Sequence, residues 1–167
     1  MQTVEKDFLQ GDVVVYPAHG VGRILDVEDQ VIAGHTLRVF VINFDQKRMT
    51  VRLPVAKAKV AGLRSLSPTG DMDEALSSLT KKIKAKKNMW SRRVQEYEAK
   101  INSGDPVSLA EVLRELYKES AEEEQTYSER QIYQTALERL SHEVAAIEGI
   151  DLDKATSKVE SILNTPA

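Results

Sequence analysis

Side chains that ionise, coordinate or attack are the first place to look for chemistry, and the three histidines, His19, His35 and His142, are the obvious candidates. They fall in two separate turns and one helical stretch, with no His-x-x-x-His pair and no acidic residue spaced to complete a metal site. The chain has no glycine-rich phosphate loop, no Gly-x-Ser-x-Gly elbow, and no cysteine to act as nucleophile, disulfide partner or thiolate ligand. Glu122, Glu123 and Glu124 lack the alternating ligands and the glycine of a calcium loop and read as a solvated face. These residues predict a protein that is not an enzyme and that uses neither cofactor nor metal.

A different chemistry is written between Lys81 and Arg93. This run holds seven basic residues and no acid, and it contains Trp90, the single tryptophan of the chain. Lysines in a row neutralise phosphates and release counterions, which gives sequence-independent, salt-sensitive affinity. A planar aromatic beside Arg92 and Arg93 can in addition stack on an unpaired base or wedge into a distorted step. The competing expectation is packing: Trp90, Val94, Tyr97 and Ile101 fall at i, i+4, i+7 and i+11, one stripe of a helix. Trp90 sits in the first turn, where such a stripe can run past the edge of a core.

The elements that position this run come in two kinds. Residues 1–66 read as about five short strands, among them "DVVVYP", "GRILDVED", "TLRVFVINF" and "MTVRLPV", separated by turns at Pro17–Gly20, Ala33–His35 and Asp45–Arg48. So many strands in so little sequence predict a small, strongly bent barrel. Pro68 and Gly70 mark a linker at 67–71, and 72–167 read as helical, giving an α+β protein of two modules. Asp105 before Pro106 predicts an N-cap, Ser108 with Glu111 offers an alternative one turn later, and Ser128 with Gln131 predicts a second capping box. A last helix is expected from about Asp151, and Gly104 and Gly149 are expected to stop the helices before them.

With 167 residues, 41% of them hydrophobic, either one ordinary core or two small ones can be buried. The formal net charge of −3 conceals a strong asymmetry. Residues 1–66 carry nine bases and seven acids, 67–94 seven and three, and 95–167 seven and sixteen. Screening over about 8 Å at physiological salt leaves an anionic partner at the basic segment blind to most of the acidic tail. The N-terminus lacks a signal-peptide apolar run and no stretch approaches a membrane span, so a soluble cytoplasmic protein, monomeric and independent of membranes, is expected.

The segments "GDVVVYPAHGVG" (11–22), "MTVRLPV" (49–55), "GLRSL" (62–66), "NMWSRR" (88–93) and "SGDPVSLAEVLRELY" (103–117) resemble, in order, those of the CarD family of bacterial transcription regulators, in particular its short CdnL-like members. The resemblance implies a Tudor-like N-terminal module that docks on the β subunit of RNA polymerase by strand-edge pairing. It makes Arg52 a polymerase contact. A second family arginine aligns with Gln30, leaving Arg23, Arg38 or Arg48 to compensate. It also implies that Trp90, with Arg92 and Arg93, wedges into promoter DNA at the upstream edge of the transcription bubble and stabilises the open complex. Lys86 and Lys87 join this set as phosphate contacts by charge and proximity. DNA affinity is then local, weak and without sequence preference, with polymerase supplying the effective concentration. The alternative is an adaptor of the same barrel type, in which the helices serve packing or another partner and no wedge operates.

Overall fold

The computed structural model describes residues 8–81, 89–122 and 126–164, with the backbone alone over 118–122. The chain falls into two compact units, Met1–Leu66 and Ser67–Ala167. The first is a β unit and the second is all helical, an α+β protein.

The β unit is one antiparallel sheet of β1 (Val13–Tyr16), β2 (Gly20–Ile32), β3 (His35–Phe44), β4 (Met49–Pro54) and β5 (Arg64–Ser65), in the order β4-β3-β2-β1-β5. Pairing along the ladder puts Val14, Ile24, Phe40, Ile42, Phe44 and Leu53 on one face, where they meet Phe8, Val55, Ala58 and Leu63. A β-bulge lies between Ile24 and Asp26, leaving Leu25 as the extra residue. That insertion reverses the alternation of "RILDVED", so that Ile24 and Val27 both face the core although they are three apart. The register puts Arg23, Asp26, Glu28 and Gln30 together on the opposite face.

The sheet differs from the expected barrel in being open. Among the described residues no ladder joins β4 to β5, and β5 is only two residues long. That side of the core is instead filled from the Val55–Lys57 turn, α1 (Ala58–Ala61) and Leu63. β2 also runs past the expected end at Asp29 to Ile32, where Ala33 and Gly34, both at positive φ (52° and 79°), make a two-residue hairpin turn whose twist matches its strands.

The helical unit consists of α2 (Thr69–Ser77), α3 (Trp90–Ser103), α4 (Pro106–Glu122), α5 (Tyr127–Glu148) and α6 (Leu152–Leu163). The expected linker at 67–71 is corrected here, because α2 begins at Thr69. Pro68 is extended (φ −57°, ψ 149°) and so ends the preceding chain, and Met72, Ala75 and Leu76 then make burying a helix favourable at once. Asp105 caps α4, its carboxylate accepting from the Ser108 backbone N–H at 3.2 Å, with Pro106 at the first position. α5 starts two residues before the box expected at Ser128, since Thr126 and Glu129 form the reciprocal cap. Asp151 caps α6, and Gly104 and Gly149 end α3 and α5 in the left-handed region. A core of Leu109, Leu113, Leu116, Leu140 and Val144, fully packed, joins α4 to α5, and α2, α3 and α6 close around it.

Gly22 tests the packing of the β unit directly. A Cβ there would lie 2.7 Å from Phe44 Cε1 and 2.8 Å from Ile42 Cγ2, inside the core face. Gly22→Ala is expected to destabilise this unit by about 1–3 kcal/mol through overpacking. Calorimetry should show its transition moving down; an unmoved transition would mean that the Phe44 ring can turn aside.

Candidate functional sites on the two units

On the β unit, β4 is a sheet edge, and Arg52 lies on it opposite Val41 of β3. By register Arg52 shares a sheet face with Arg23, Glu28 and Gln30. Its Nε stands 3.8 Å from Glu28 Oε1, so the guanidinium reaches over β3 to a carboxylate on β2. Both groups are substantially exposed, and such a pair orients a side chain more than it stabilises a fold.

Arg23, Arg38 and Arg48 each have a local structural role. Arg23 Nη1 donates to the Gly11 carbonyl at 3.0 Å and clamps the turn that leads into β1. Arg38 pairs with Asp29, its direct cross-strand partner, at 3.3 Å. Arg48 occupies the left-handed position (φ 50°) that closes the Asp45–Lys47 turn before β4. Gln30, the position that the resemblance sets against a second family arginine, lies two residues beyond Glu28 on the same face. The face is thus mixed in charge, with Arg52 on the edge strand β4 of the described sheet.

On the helical unit, Trp90 is the first residue of α3, and Met89, extended and 77% exposed, precedes it. Among the described residues no side chain caps this helix; the Met89 carbonyl accepts from the N–H groups of Arg92 and Arg93. Two arginines in an uncapped first turn oppose the helix dipole, each costing about 0.3–1 kcal/mol, a cost that a nearby anion removes.

Trp90 is half-buried against the helical core, between the two expectations of core residue and free wedge. Its ring lies 6.0 Å from that of Tyr97 at 57°, and the Arg93 guanidinium stands over it, 5.4 Å from the centroid. The same guanidinium is 5.6 Å from the Tyr97 ring centroid, and its Nη2 donates to the Tyr97 hydroxyl at 2.7 Å. Tyr97 in turn donates to Glu115 Oε1 on α4 at 2.9 Å. Arg92, by contrast, is exposed. Lys86 and Lys87 lie outside the described residues.

Burial pushes the Tyr97 phenol well above the usual tyrosine range; Arg93 opposes this by its hydrogen bond and Glu115 reinforces it. Burial does the same to Tyr133, with help from Glu160 and Tyr117. Sequence reasoning missed Glu28 and Glu115. Glu115 follows Val112 by three positions on the buried side of α4, so its spacing was a usable signal; Glu28 had none, because the bulge decides which face it takes.

Among the described residues no group of three or more His, Cys, Asp or Glu side chains is arranged to hold a metal, and no helix is long and apolar enough to cross a membrane. Among the described residues a small open sheet with Arg52 on its edge strand is followed in one chain by a helical unit with an aromatic at a basic helix start. Family models match both parts: the CarD-like/TRCF RID domain over residues 8–67 and the CarD C-terminal domain over residues 74–160. The chain belongs to the CarD family, whose members regulate transcription through RNA polymerase and which is not a class of enzymes. It is also 27% identical over 143 residues to a protein of Bacillus subtilis (strain 168) named "Putative transcription factor YdeB", a match covering 86% of this chain and 94% of that one.

The raised phenols make a prediction with a definite sign. The unfolded chain ionises its tyrosines near pH 10, while the folded unit keeps Tyr97 and Tyr133 protonated beyond that. The unfolded state therefore loses protons first, and stability falls as pH rises through about 10. Urea midpoints of the helical unit should drop on going from about pH 9 to about pH 11, and drop less in Tyr97→Phe. A flat profile would mean that both phenols ionise in place.

Proposed function

We propose that the protein docks on the β subunit of RNA polymerase through the β4 edge and Arg52, and that Trp90 stabilises the open promoter complex at the upstream edge of the bubble. The observation that carries this reading is the braced Trp90 ring at the uncapped, basic start of α3. Melted DNA closes from its edges, and an aromatic stacked on the frayed pair raises the free energy of closing. Base–aromatic stacking is worth about 1–3 kcal/mol, and each 1.4 kcal/mol is about tenfold in lifetime if it acts on the barrier. Arg92, and Lys86 and Lys87 upstream, supply phosphate neutralisation; Arg48, just ahead of β4, adds to the docking edge, and Arg23, two strands in on the same face as Arg52, adds charge while serving its own turn. The protein works in the cytoplasm, held to promoter DNA as a monomer by polymerase rather than by its own weak affinity.

The contact of Trp90 with the helical core favours a second reading, an adaptor whose tryptophan serves packing alone. Open-complex lifetime with the cognate polymerase on a ribosomal RNA promoter separates the two. The intact chain is expected to lengthen it and Trp90→Ala to lose at least about fivefold, from the lower end of the stacking range. Equal lifetimes for both proteins, given binding to polymerase, would establish the adaptor. Arg52→Glu should place a carboxylate beside Glu28 and abolish co-purification with β while leaving the calorimetric transition of the β unit within about 1 kcal/mol of wild type. Retained co-purification would mean that docking rests on backbone pairing.

A further inference from the structure

We propose that Arg93 is a positioning residue for Trp90 and not a phosphate contact, and that the hydroxyl of Tyr97, fixed by Glu115, is what holds it in place. The inference deepens the wedge reading and rests on it. Two arginines stand side by side in the first turn of α3, and the structure treats them differently. Arg92 is exposed, whereas Arg93 is half-buried with its guanidinium over both the Trp90 and Tyr97 rings. A planar cation within about 6 Å of a ring centroid is attracted by the ring's negative face. Here one guanidinium serves two rings and spends its Nη2 hydrogen on the Tyr97 oxygen.

That oxygen both accepts from Arg93 and donates to Glu115, so each bond polarises the other. Tyr97 and Glu115 are both buried, and their placement follows from the packing of α3 on α4. Moving Arg93 outward to a phosphate would strip the phenol of its donor and leave the Glu115 carboxylate without the cation beyond it. The chain from α4 to the indole is therefore a brace: Glu115 sets Tyr97, Tyr97 sets Arg93, and Arg93 fixes the ring that Tyr97 already flanks at 57°. An indole held before the DNA arrives need not be immobilised on contact, a gain of about two- to tenfold in affinity for one frozen side chain.

The test uses the full chain, a labelled duplex with a single-stranded fork at low ionic strength, and the variants Arg92→Gln, Arg93→Gln, Arg93→Lys, Tyr97→Phe and Glu115→Gln. Fluorescence anisotropy and acrylamide quenching of Trp90 in the free protein report the freedom of the ring. Tyr97→Phe, Glu115→Gln, Arg93→Gln and Arg93→Lys are all expected to loosen it and to weaken fork binding by about two- to tenfold. Their slope of log affinity against log salt should equal that of wild type. Arg92→Gln is expected to lower that slope by about 0.9, the mark of one lost phosphate contact, with the ring unmoved. Lysine keeps the charge but not the planar fork, so wild-type behaviour of Arg93→Lys, a lowered slope for Arg93→Gln and normal binding by Tyr97→Phe would overturn the proposal. Failure of the wedge reading is separately visible, as Trp90→Ala binding the fork as tightly as wild type. Glu115→Gln keeps the test decisive if Tyr97→Phe does not fold.

Discussion

The hydroxyl of Tyr97 accepts from Arg93 and donates to Glu115 inside a closed contact between α3 and α4. A buried phenol without partners is costly, by about 1–3 kcal/mol for each unmet group, so the position of α3 on α4 and the position of Arg93 over Trp90 are fixed by one arrangement. One turn further along, Lys100 and Glu111 pair at 3.1 Å across the same two helices. Ile101, next to Lys100, is buried in the helical core. Polar pairs at two successive turns fix the rotation of α3 on α4, and from them a ring at the very start of the helix gains a defined place.

In the β unit the equivalent constraint is steric. Gly22 leaves room for the Phe44 ring, and Phe44 in turn meets Tyr16 at 6.0 Å and His19 at 5.4 Å. His19, a candidate for chemistry by residue type, is thus part of an aromatic cluster. The bulge at Leu25 then decides which side chains of β2 reach the far face. If Leu25 took a ladder position instead of bulging out, Glu28 would point to the core side and would not meet Arg52.

Local signals in the sequence were legible and nonlocal ones were not. Asp105-Pro106, Asp151, Gly104 and Gly149 each act within one turn of chain, and each is found where its chemistry requires. "TYSERQ" contains two overlapping capping patterns, Thr126 with Glu129 and Ser128 with Gln131, and composition alone does not rank them; the observed start at Tyr127 selects the first. The bulge, the run of β2 to Ile32 and the open edge between β4 and β5 depend on partners far along the chain. At the candidate site the stripe through Trp90, Tyr97 and Ile101 was visible from spacing. The division of labour between Arg92 and Arg93 was not, because it depends on Glu115 from another helix.

One bond bears on the order in which the protein is made. The N–H of Ser67, just ahead of α2, donates at 2.7 Å to the carboxylate of Glu143, buried in α5 and 76 residues later in the chain. During synthesis the β unit has all its strands once residue 65 has emerged, but the Glu143 carboxylate that accepts from the Ser67 N–H follows only when most of α5 has left the ribosome. At about 5–20 residues per second, that interval lasts several seconds. Nascent chains therefore pass through a stage in which a finished sheet is followed by a helical unit that has yet to make its Ser67–Glu143 bond, and that bond is among the last parts of the unit to set.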